Sequence, residues 1–184
     1  FGKFCFKNVS PSFEKFTDLP RGQKVIQLET PQSSVVFGHP GLSRSDKDYF
    51  SLRLANYILG GGGFQSRLYK QIREKRGLVY SIYSYPISYK HDGFMMGGFQ
   101  TRNKSVFETV NRVKEEWAKI SKRGITKKEL DAAKAYYKGS FTRNFTSTVS
   151  IANLLNIVQF YDLGKNYFSE RDQIIENLKL EDIN

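Results

Sequence analysis

The sequence predicts an α+β fold, an antiparallel sheet with helices packed on one face. Strand-forming segments concentrate in the first part of the chain, and helical periodicity dominates the rest. With 184 residues the chain is long enough for one domain, and an aromatic share of 15% supplies apolar surface for a core. That domain is expected to cover residues 23–184, after an extended connector over residues 1–22 from a preceding domain.

Four segments are predicted to form strands, because they alternate polar and apolar residues or are rich in β-branched and aromatic residues. They cover residues 23–29, 32–38, 78–85 and 93–101. The HPG sequence at His39 is expected to end the second strand in a turn, and the HDG sequence at His91 is typical of a hairpin between the last two. Both histidines are therefore expected in surface turns.

The first helix is expected to begin at a capping box formed by Ser45 and Asp48. Apolar residues then recur at helical spacing. These are Phe50, Leu54 and Ile58. The helix is expected to stop at the glycine run, residues 60–63, and a second helix is expected over residues 66–75, with Gly77 as its left-handed carboxy-terminal cap.

Apolar residues at helical spacing continue through the remainder of the chain. They predict helices over residues 106–120, 130–137, 151–161 and 175–178. Thr126 and Glu129 form a second capping box, and Ser169 and Asp172 are expected to cap the short last helix. The closing LKLEDIN sequence again places acids as in the first turn of a helix, so the domain is expected to be truncated at that point.

The glycine run does not fit the phosphate-binding loops. A Walker motif requires a Lys after its last glycine, whereas Gly63 is followed by Phe64. The dinucleotide fingerprint follows a strand, whereas here a helix is predicted before the glycines. The two histidines are isolated, neither H-x-x-E-H nor G-x-S-x-G occurs, and Cys5 is the single cysteine. The chain by itself is therefore expected to bind no metal.

The formal charge of +11, from 29 Lys and Arg against 18 Asp and Glu, is compatible with a nucleic-acid partner. The basic residues are interspersed with acids, which favours an ordinary solvated surface, and only residues 67–76 are densely basic. Aromatic rings that could stack on bases follow this segment. They are Tyr80, Tyr83, Tyr85 and Tyr89. Strand alternation is expected to point them to both faces of the sheet, so no nucleic-acid partner is expected. No apolar run reaches the ~18 residues of a membrane span.

The segment LGGGGFQSRLYKQIREKRGLVYSIYSY, residues 59–85, resembles the hallmark of the carboxy-terminal domain of pitrilysin-type zinc peptidases. These inverzincins include mitochondrial processing peptidase and insulin-degrading enzyme. Further sequences resemble the family in the same order, among them FGKF, PQSSVVFGHPG, LANYILGGG, GFMMGGFQT and GITKKELDAAKAYYKGSF. The resemblance covers essentially the whole chain and is to the smaller bacterial, processing-peptidase-like members.

The resemblance implies a division of labour between two similar domains. One domain carries H-x-x-E-H, binds zinc and activates water. The other has no metal and supplies an Arg and a Tyr in the pattern R-x6-Y, which Arg73 and Tyr80 match here. By this resemblance Arg73 positions the substrate, and Tyr80 stabilises the oxyanion of the tetrahedral intermediate as a catalytic residue.

Further candidates for substrate contact are Arg76, Gly60, Gly61, Gly62 and Gly63. Every candidate also has a structural interpretation. Arg73 and Arg76 suit the last turn of a helix, where cations offset the helix dipole. Tyr80 suits a half-buried strand position, and the glycines suit a permissive turn between two helices.

What the resemblance implies is the non-metal-binding half of a bacterial zinc endopeptidase that encloses and hydrolyses peptides. Zinc is expected in a partner domain or subunit that carries H-x-x-E-H, within a homo- or heterodimer, and the chain alone is expected to be inactive. Two alternatives stay open. One is a non-catalytic scaffold of the same fold, as in core subunits of respiratory complexes, and the other is a basic nucleic-acid-binding domain. The compartment is left open between bacterial periplasm and cytoplasm.

Overall fold

The computed structural model describes residues 21–184, and these residues contain one antiparallel sheet of three strands. The strands are β1 (Gln32–Pro40), β2 (Val79–Ser88) and β3 (Gly93–Arg102). β3 lies in the centre and pairs with β1 on one side and with β2 on the other. The predicted β2–β3 hairpin is confirmed, and it closes where the Tyr89 N–H donates to the Asp92 carbonyl at 2.7 Å.

The described part of the chain also contains five α-helices. They are α1 (Tyr49–Asn56), α2 (Val106–Arg123), α3 (Lys127–Phe141), α4 (Thr148–Phe160) and α5 (Tyr167–Asn177). Two segments are wound as π-helices. The first π segment, Tyr57–Gly61, continues α1 and ends inside the glycine run, and the second π segment is Tyr69–Glu74. The helix predicted over residues 66–75 is therefore present but wound more widely than an α-helix.

The main hydrophobic core lies between one face of the sheet and the helices. Ile72 of the second π segment and Val113 of α2 pack there with Ile82 of β2 and Phe99 of β3. Two further apolar clusters join α1 to α3 and α1 to α5. The helices thus depend on tertiary packing of their apolar faces for most of their stability.

Within residues 21–184, no helix covers the opposite face of the sheet. Val36, Gly98 and Tyr83 stand in register across the three strands. The side chains of Val36 and Tyr83 are 66% and 47% exposed. The predicted architecture, an antiparallel sheet with helices packed on one face, is confirmed.

The strand predicted over residues 23–29 is wrong. These residues have no regular secondary structure and are exposed, including the apolar Val25 at 76%. Alternation defines a strand only where a neighbouring strand and a buried face are available, and the described sheet offers this segment neither. Of the connector predicted over residues 1–22, only Arg21 and Gly22 lie within the described residues.

The turn predicted at His39 is also wrong, because β1 continues through Pro40. His39 pairs with Met95 and Pro40 with Phe94, and the Gly41 N–H then donates to the Gly93 carbonyl at 2.9 Å. Proline is tolerated here because it lies at the end of an edge strand, where no ladder hydrogen bond from its nitrogen is needed.

Two predicted helix caps are not formed. Asp46, not Ser45, organises the turn before α1, since its carboxylate accepts the Asp48 N–H at 2.8 Å, and the helix begins at Tyr49. The last helix begins at Tyr167, so Ser169 lies inside it. Short polar side chains can bond several nearby backbone groups, and the sequence does not decide which bond forms.

The second capping box is confirmed and belongs to a larger ion-pair network. Thr126 Oγ1 accepts the Glu129 N–H, and Glu129 accepts the Thr126 N–H at 2.8 Å. Arg67, just after the glycine run, donates through two nitrogens to the two Glu129 oxygens, each at 2.7 Å. Arg67 also donates to the Gly124 carbonyl at 3.1 Å. The Arg67 guanidinium, followed by the Thr126 hydrogen bonds, lowers the pKa of Glu129 to about 2.

Glu129→Gln is expected to lower the free energy of unfolding at neutral pH by about 1.5–3 kcal/mol, because it removes charge-assisted hydrogen bonds to Arg67. Since the folded-state pKa of Glu129 lies below its ordinary value of 4.5, the contribution is present above that value and is lost as the pH falls towards about 2. Urea unfolding across this pH range measures both effects.

Glu115→Gln is the matched control. Glu115 accepts from Arg112 at 2.9 Å in an exposed pair on α2, where solvent screening leaves the pair with little effect on stability. Equal destabilisation by the two substitutions would contradict the assignment of Glu129 as a structural anchor.

Candidate functional site

Arg73 lies in the second π segment, and its guanidinium carbon stands 5.0 Å from the centre of the Tyr69 ring. The segment ends at Gly77, whose φ of +59° is left-handed. The Gly77 N–H donates to the Arg73 carbonyl at 3.0 Å, which is the bond of the left-handed αL cap, and the Leu78 N–H donates to the Ile72 carbonyl at 3.1 Å. The predicted glycine cap is confirmed, and it turns the chain from Arg73 into β2.

Tyr80 lies at a β-bulge near the start of β2. Val79 pairs with Thr101 and Ile82 with Phe99, so two residues of β2 oppose Gln100 alone. The Tyr80 side chain is 86% exposed. Tyr80 therefore does not occupy the half-buried strand position that the sequence also allowed. Among the described residues, no packing contact accounts for its ring.

The bulge changes the direction of the tyrosines. Ile82 and Ser84 are buried on the helix side, whereas Tyr83 and Tyr85 are exposed and stack on each other at 6.0 Å. The extra residue brings Tyr80 to the exposed side as well. The expectation that alternation sends these tyrosines to both faces is therefore wrong, because a bulge shifts the two-residue period by one.

Among the residues that the structure describes, Arg73 and Tyr80 are not in direct contact with each other. Tyr80 lines an open cavity of about 300 Å³ with Gln32 and Gln100. Arg73 is not among the residues that line this cavity, and its guanidinium faces Tyr69 instead. The roles of the two residues stay predictions.

Arg76 is held at the end of the second π segment. It donates to the Gln71 carbonyl at 2.5 Å while its side chain stays exposed. This bond satisfies a carbonyl that the end of a helix leaves without a partner. Its part in substrate contact stays a prediction beside that structural role.

The glycine run is a packed turn. A Cβ atom on Gly60 would lie 2.3 Å from Ser84 Oγ and 2.9 Å from Leu68 Cδ1, so the backbone approaches β2 more closely than any other residue would allow. Gly63 has a φ of +54° and turns the chain into the next helix. Beside Gly60, Asn56 donates to the Ser84 carbonyl at 3.0 Å and accepts from Ser84 Oγ at 2.6 Å.

A cavity of about 470 Å³ lies beside this turn, and we call it the glycine-run cavity. Its lining includes Gly60, Gly61 and Gly63 together with Tyr83 and Tyr85 of β2. Neither Arg73 nor Tyr80 lines it. Three of the four glycines therefore face a space large enough for side chains of a peptide, beside strand β2.

The far wall of the glycine-run cavity was not predicted from the sequence. It is formed by Tyr57, Tyr136, Tyr137 and Arg53. Tyr57 stacks on Tyr136 with ring centres 4.5 Å apart. The adjacent Tyr136-Tyr137 pair was the available signal, since one helix face accommodates only one of two consecutive residues and the other must face elsewhere.

Within residues 21–184, no group of three or more His, Cys, Asp or Glu side chains is arranged to hold a metal ion. None of the helices in this part of the chain combines the length and the apolar character needed to cross a membrane.

Comparison with known proteins identifies the family. A family model described as the peptidase M16 inactive domain matches residues 1–137. The chain is 31% identical over 150 residues to "Uncharacterized zinc protease YmxG" of Bacillus subtilis, which covers 82% of this chain and 36% of that protein. It is 32% identical over 176 residues to "Non-peptidase homolog YmxG" of Helicobacter pylori, and the match covers 95% of this chain and 40% of that protein.

A solved structure agrees. The crystal structure of a peptidase M16 inactive domain from Pseudomonas fluorescens superposes with a TM-score of 0.77 and 36% identity, covering 84% of this chain and 37% of that one. The chain belongs to the peptidase M16 inactive-domain family, which confirms the resemblance to pitrilysin-type zinc peptidases. It spans well under half the length of these relatives, 36% and 40% of the two YmxG proteins.

Gly60→Ala is expected to destabilise the fold by about 1–3 kcal/mol, because the added methyl group collides with Ser84 and Leu68 across a packed contact. Gly139→Ala is the matched control. Gly139 lies in α3, nothing stands within 4 Å of its added Cβ, and this substitution should be neutral or stabilise the helix by up to about 1 kcal/mol. Thermal unfolding of both variants measures the difference, and equal effects would contradict a packed turn.

Proposed function

We propose that this chain is the metal-free half of a zinc endopeptidase that encloses and hydrolyses peptides. The observation that carries the proposal is the position of Tyr80. It follows Arg73 by seven residues, stands at a bulge and is 86% exposed, within a chain of the peptidase M16 inactive-domain family. Among the described residues Tyr80 has no packing partner, and an exposed tyrosine next to an irregular strand is typical of a residue that meets a ligand.

Tyr80 is proposed to donate its phenol O–H to the oxyanion that develops when water attacks the scissile carbonyl. Hydrogen bonds of this kind act where charge forms in the transition state, so they raise kcat more than they improve substrate binding. Zinc, bound by an H-x-x-E-H domain or subunit, would supply the activated water, since residues 21–184 offer no ligand set for it.

Arg73 is proposed to position the substrate through its guanidinium. The planar fork of N–H donors suits a peptide carbonyl or a carboxylate, and the Tyr69 ring at 5.0 Å limits the directions in which the side chain can swing. Arg76 and the glycine-run cavity are proposed as further substrate contacts. The cavity offers aromatic side chains and close backbone approach to an extended peptide, and β2 beside it is an edge strand.

One specific observation favours a second function. A Helicobacter pylori relative that matches 95% of this chain at 32% identity is named a non-peptidase homolog. The same fold could therefore serve as a non-catalytic scaffold, in which a second half is present but no peptide is cleaved. The basic nucleic-acid-binding alternative has no comparable support.

Tyr80→Phe in the full-length protein is expected to lower kcat for a quenched-fluorescent peptide about a hundredfold to a thousandfold, because one oxyanion donor is lost. Tyr89→Phe is the matched control, one residue after the same strand. Its side chain is also exposed and does not line the glycine-run cavity, so cleavage should be nearly unchanged. Arg73→Ala should mainly raise KM. Equal activity of the two Phe variants would contradict the role of Tyr80. A wild-type protein that cleaves no peptide in the presence of zinc would favour the scaffold function.

The chain of residues 1–184 is expected to hydrolyse nothing when it is assayed alone with added zinc. The same fluorescent peptide and a metal chelator give the measurement. Cleavage that appears with zinc and disappears with the chelator would contradict the assignment of this chain as the metal-free half.

A further inference from the structure

A second cavity, of about 220 Å³, lies among α1, α3, α4 and α5. We call it the arginine cavity, because three arginines line it: Arg44, Arg53 and Arg171. No Asp or Glu side chain is among its lining residues. Within a chain whose basic residues are otherwise mixed with acids, this is a local concentration of positive charge inside the fold.

Arg44 is buried, and no carboxylate of the described residues pairs with it. Only 8% of it is exposed, and its Nη2 donates to the Tyr167 hydroxyl at 2.8 Å. Its guanidinium carbon lies 4.0 Å from the centre of the Tyr49 ring. Burial raises the pKa of Tyr167, so that hydroxyl stays neutral and does not supply a counter-charge. A buried charge is normally paired, because loss of hydration is costly.

Arg53 is half-buried, and no carboxylate of the described residues pairs with it either. Its Nη1 donates to the Tyr49 hydroxyl at 3.0 Å, and its guanidinium carbon lies 5.5 Å from the Tyr137 ring centre. Neither Arg44 nor Arg53 forms an ion pair with any residue that the structure describes. Arg171 differs, since it pairs with Asp172 at 2.5 Å and donates to the Tyr137 carbonyl at 2.9 Å. Within residues 21–184, two of the three positive charges thus have no carboxylate partner.

The guanidiniums of Arg44 and Arg53 belong to side chains that line the cavity. Among the described residues, each donates to one tyrosine hydroxyl, whereas a guanidinium carries five N–H donors. Donors held in place by aromatic rings around an open space form a preorganised anion site.

We propose that the arginine cavity binds a small oxyanion of the carboxylate or phosphate type. A guanidinium donates two parallel N–H bonds to either group. A volume of about 220 Å³ admits an ion of this size, because a water molecule takes up about 30 Å³ in the liquid. The site is distinct from the glycine-run cavity, although Arg53, Tyr137 and Ser140 line both. An anion here would fix Arg53 between them.

The test is calorimetric titration of the full-length protein with inorganic phosphate and, separately, with acetate, each against chloride at the same ionic strength. Saturable binding of either anion is expected, and the anion that binds identifies the class of ligand. Arg53→Gln is expected to weaken this binding at least about tenfold, because one charge-assisted partner is lost. Asn144→Asp, which keeps the shape of a cavity-lining side chain, is expected to weaken it similarly by placing a carboxylate among the guanidiniums.

Arg112→Gln is the matched control, since Arg112 is an exposed arginine on α2 that pairs with Glu115, and its loss should leave the affinity unchanged. Should Arg53→Gln fail to fold, Asn144→Asp decides alone. Absence of saturable binding by both anions would overturn the proposal. Equally tight binding by the Arg53→Gln, Asn144→Asp and Arg112→Gln variants would also overturn the proposal, because the anion would then lie elsewhere.

Discussion

The distance between the end of α1 and strand β2 determines where the functional segments of this domain lie. Asn56 and Ser84 exchange two buried hydrogen bonds, and Gly60 has no side chain to hold the two elements apart. Buried polar groups are costly when they lose their partner, so this contact has one acceptable geometry. The glycine run must then turn at Gly63, and the turn sets the start of the second π segment.

From that anchor the chain reaches Tyr80 through two further constraints. The left-handed Gly77 ends the second π segment and directs the backbone into β2. The bulge opposite Gln100 then brings Tyr80 to the exposed side of the sheet. A tyrosine two residues into a regular strand would take one face or the other by parity alone. Arg73 thus lies in irregular helix winding and Tyr80 lies in an irregular strand, and these are the two residues that match R-x6-Y. Such departures from ideal geometry tend to occur at functional sites.

Much of this could be predicted from the sequence, because the governing signals are local. The Gly77 cap, the Thr126–Glu129 capping box and the β2–β3 hairpin follow from residues close together in the chain. The failures involve partners far apart. Residues 23–29 alternate like a strand but pair with no strand of the described sheet, and the bulge at Tyr80 depends on how β2 registers against β3. The arginine cavity brings Arg44 together with Tyr167, 123 residues away, which no local pattern reports.

We propose that Tyr80 stabilises the transition state more than it contributes to substrate binding. The most direct measurement compares two affinities in the zinc-loaded full-length protein: that of a phosphinic peptide, whose tetrahedral centre mimics the intermediate, and that of the corresponding uncleaved peptide. In Tyr80→Phe the phosphinic peptide should bind about ten- to a hundredfold more weakly, with the uncleaved peptide unchanged. Equal affinity of wild type and variant for the phosphinic peptide would contradict the account.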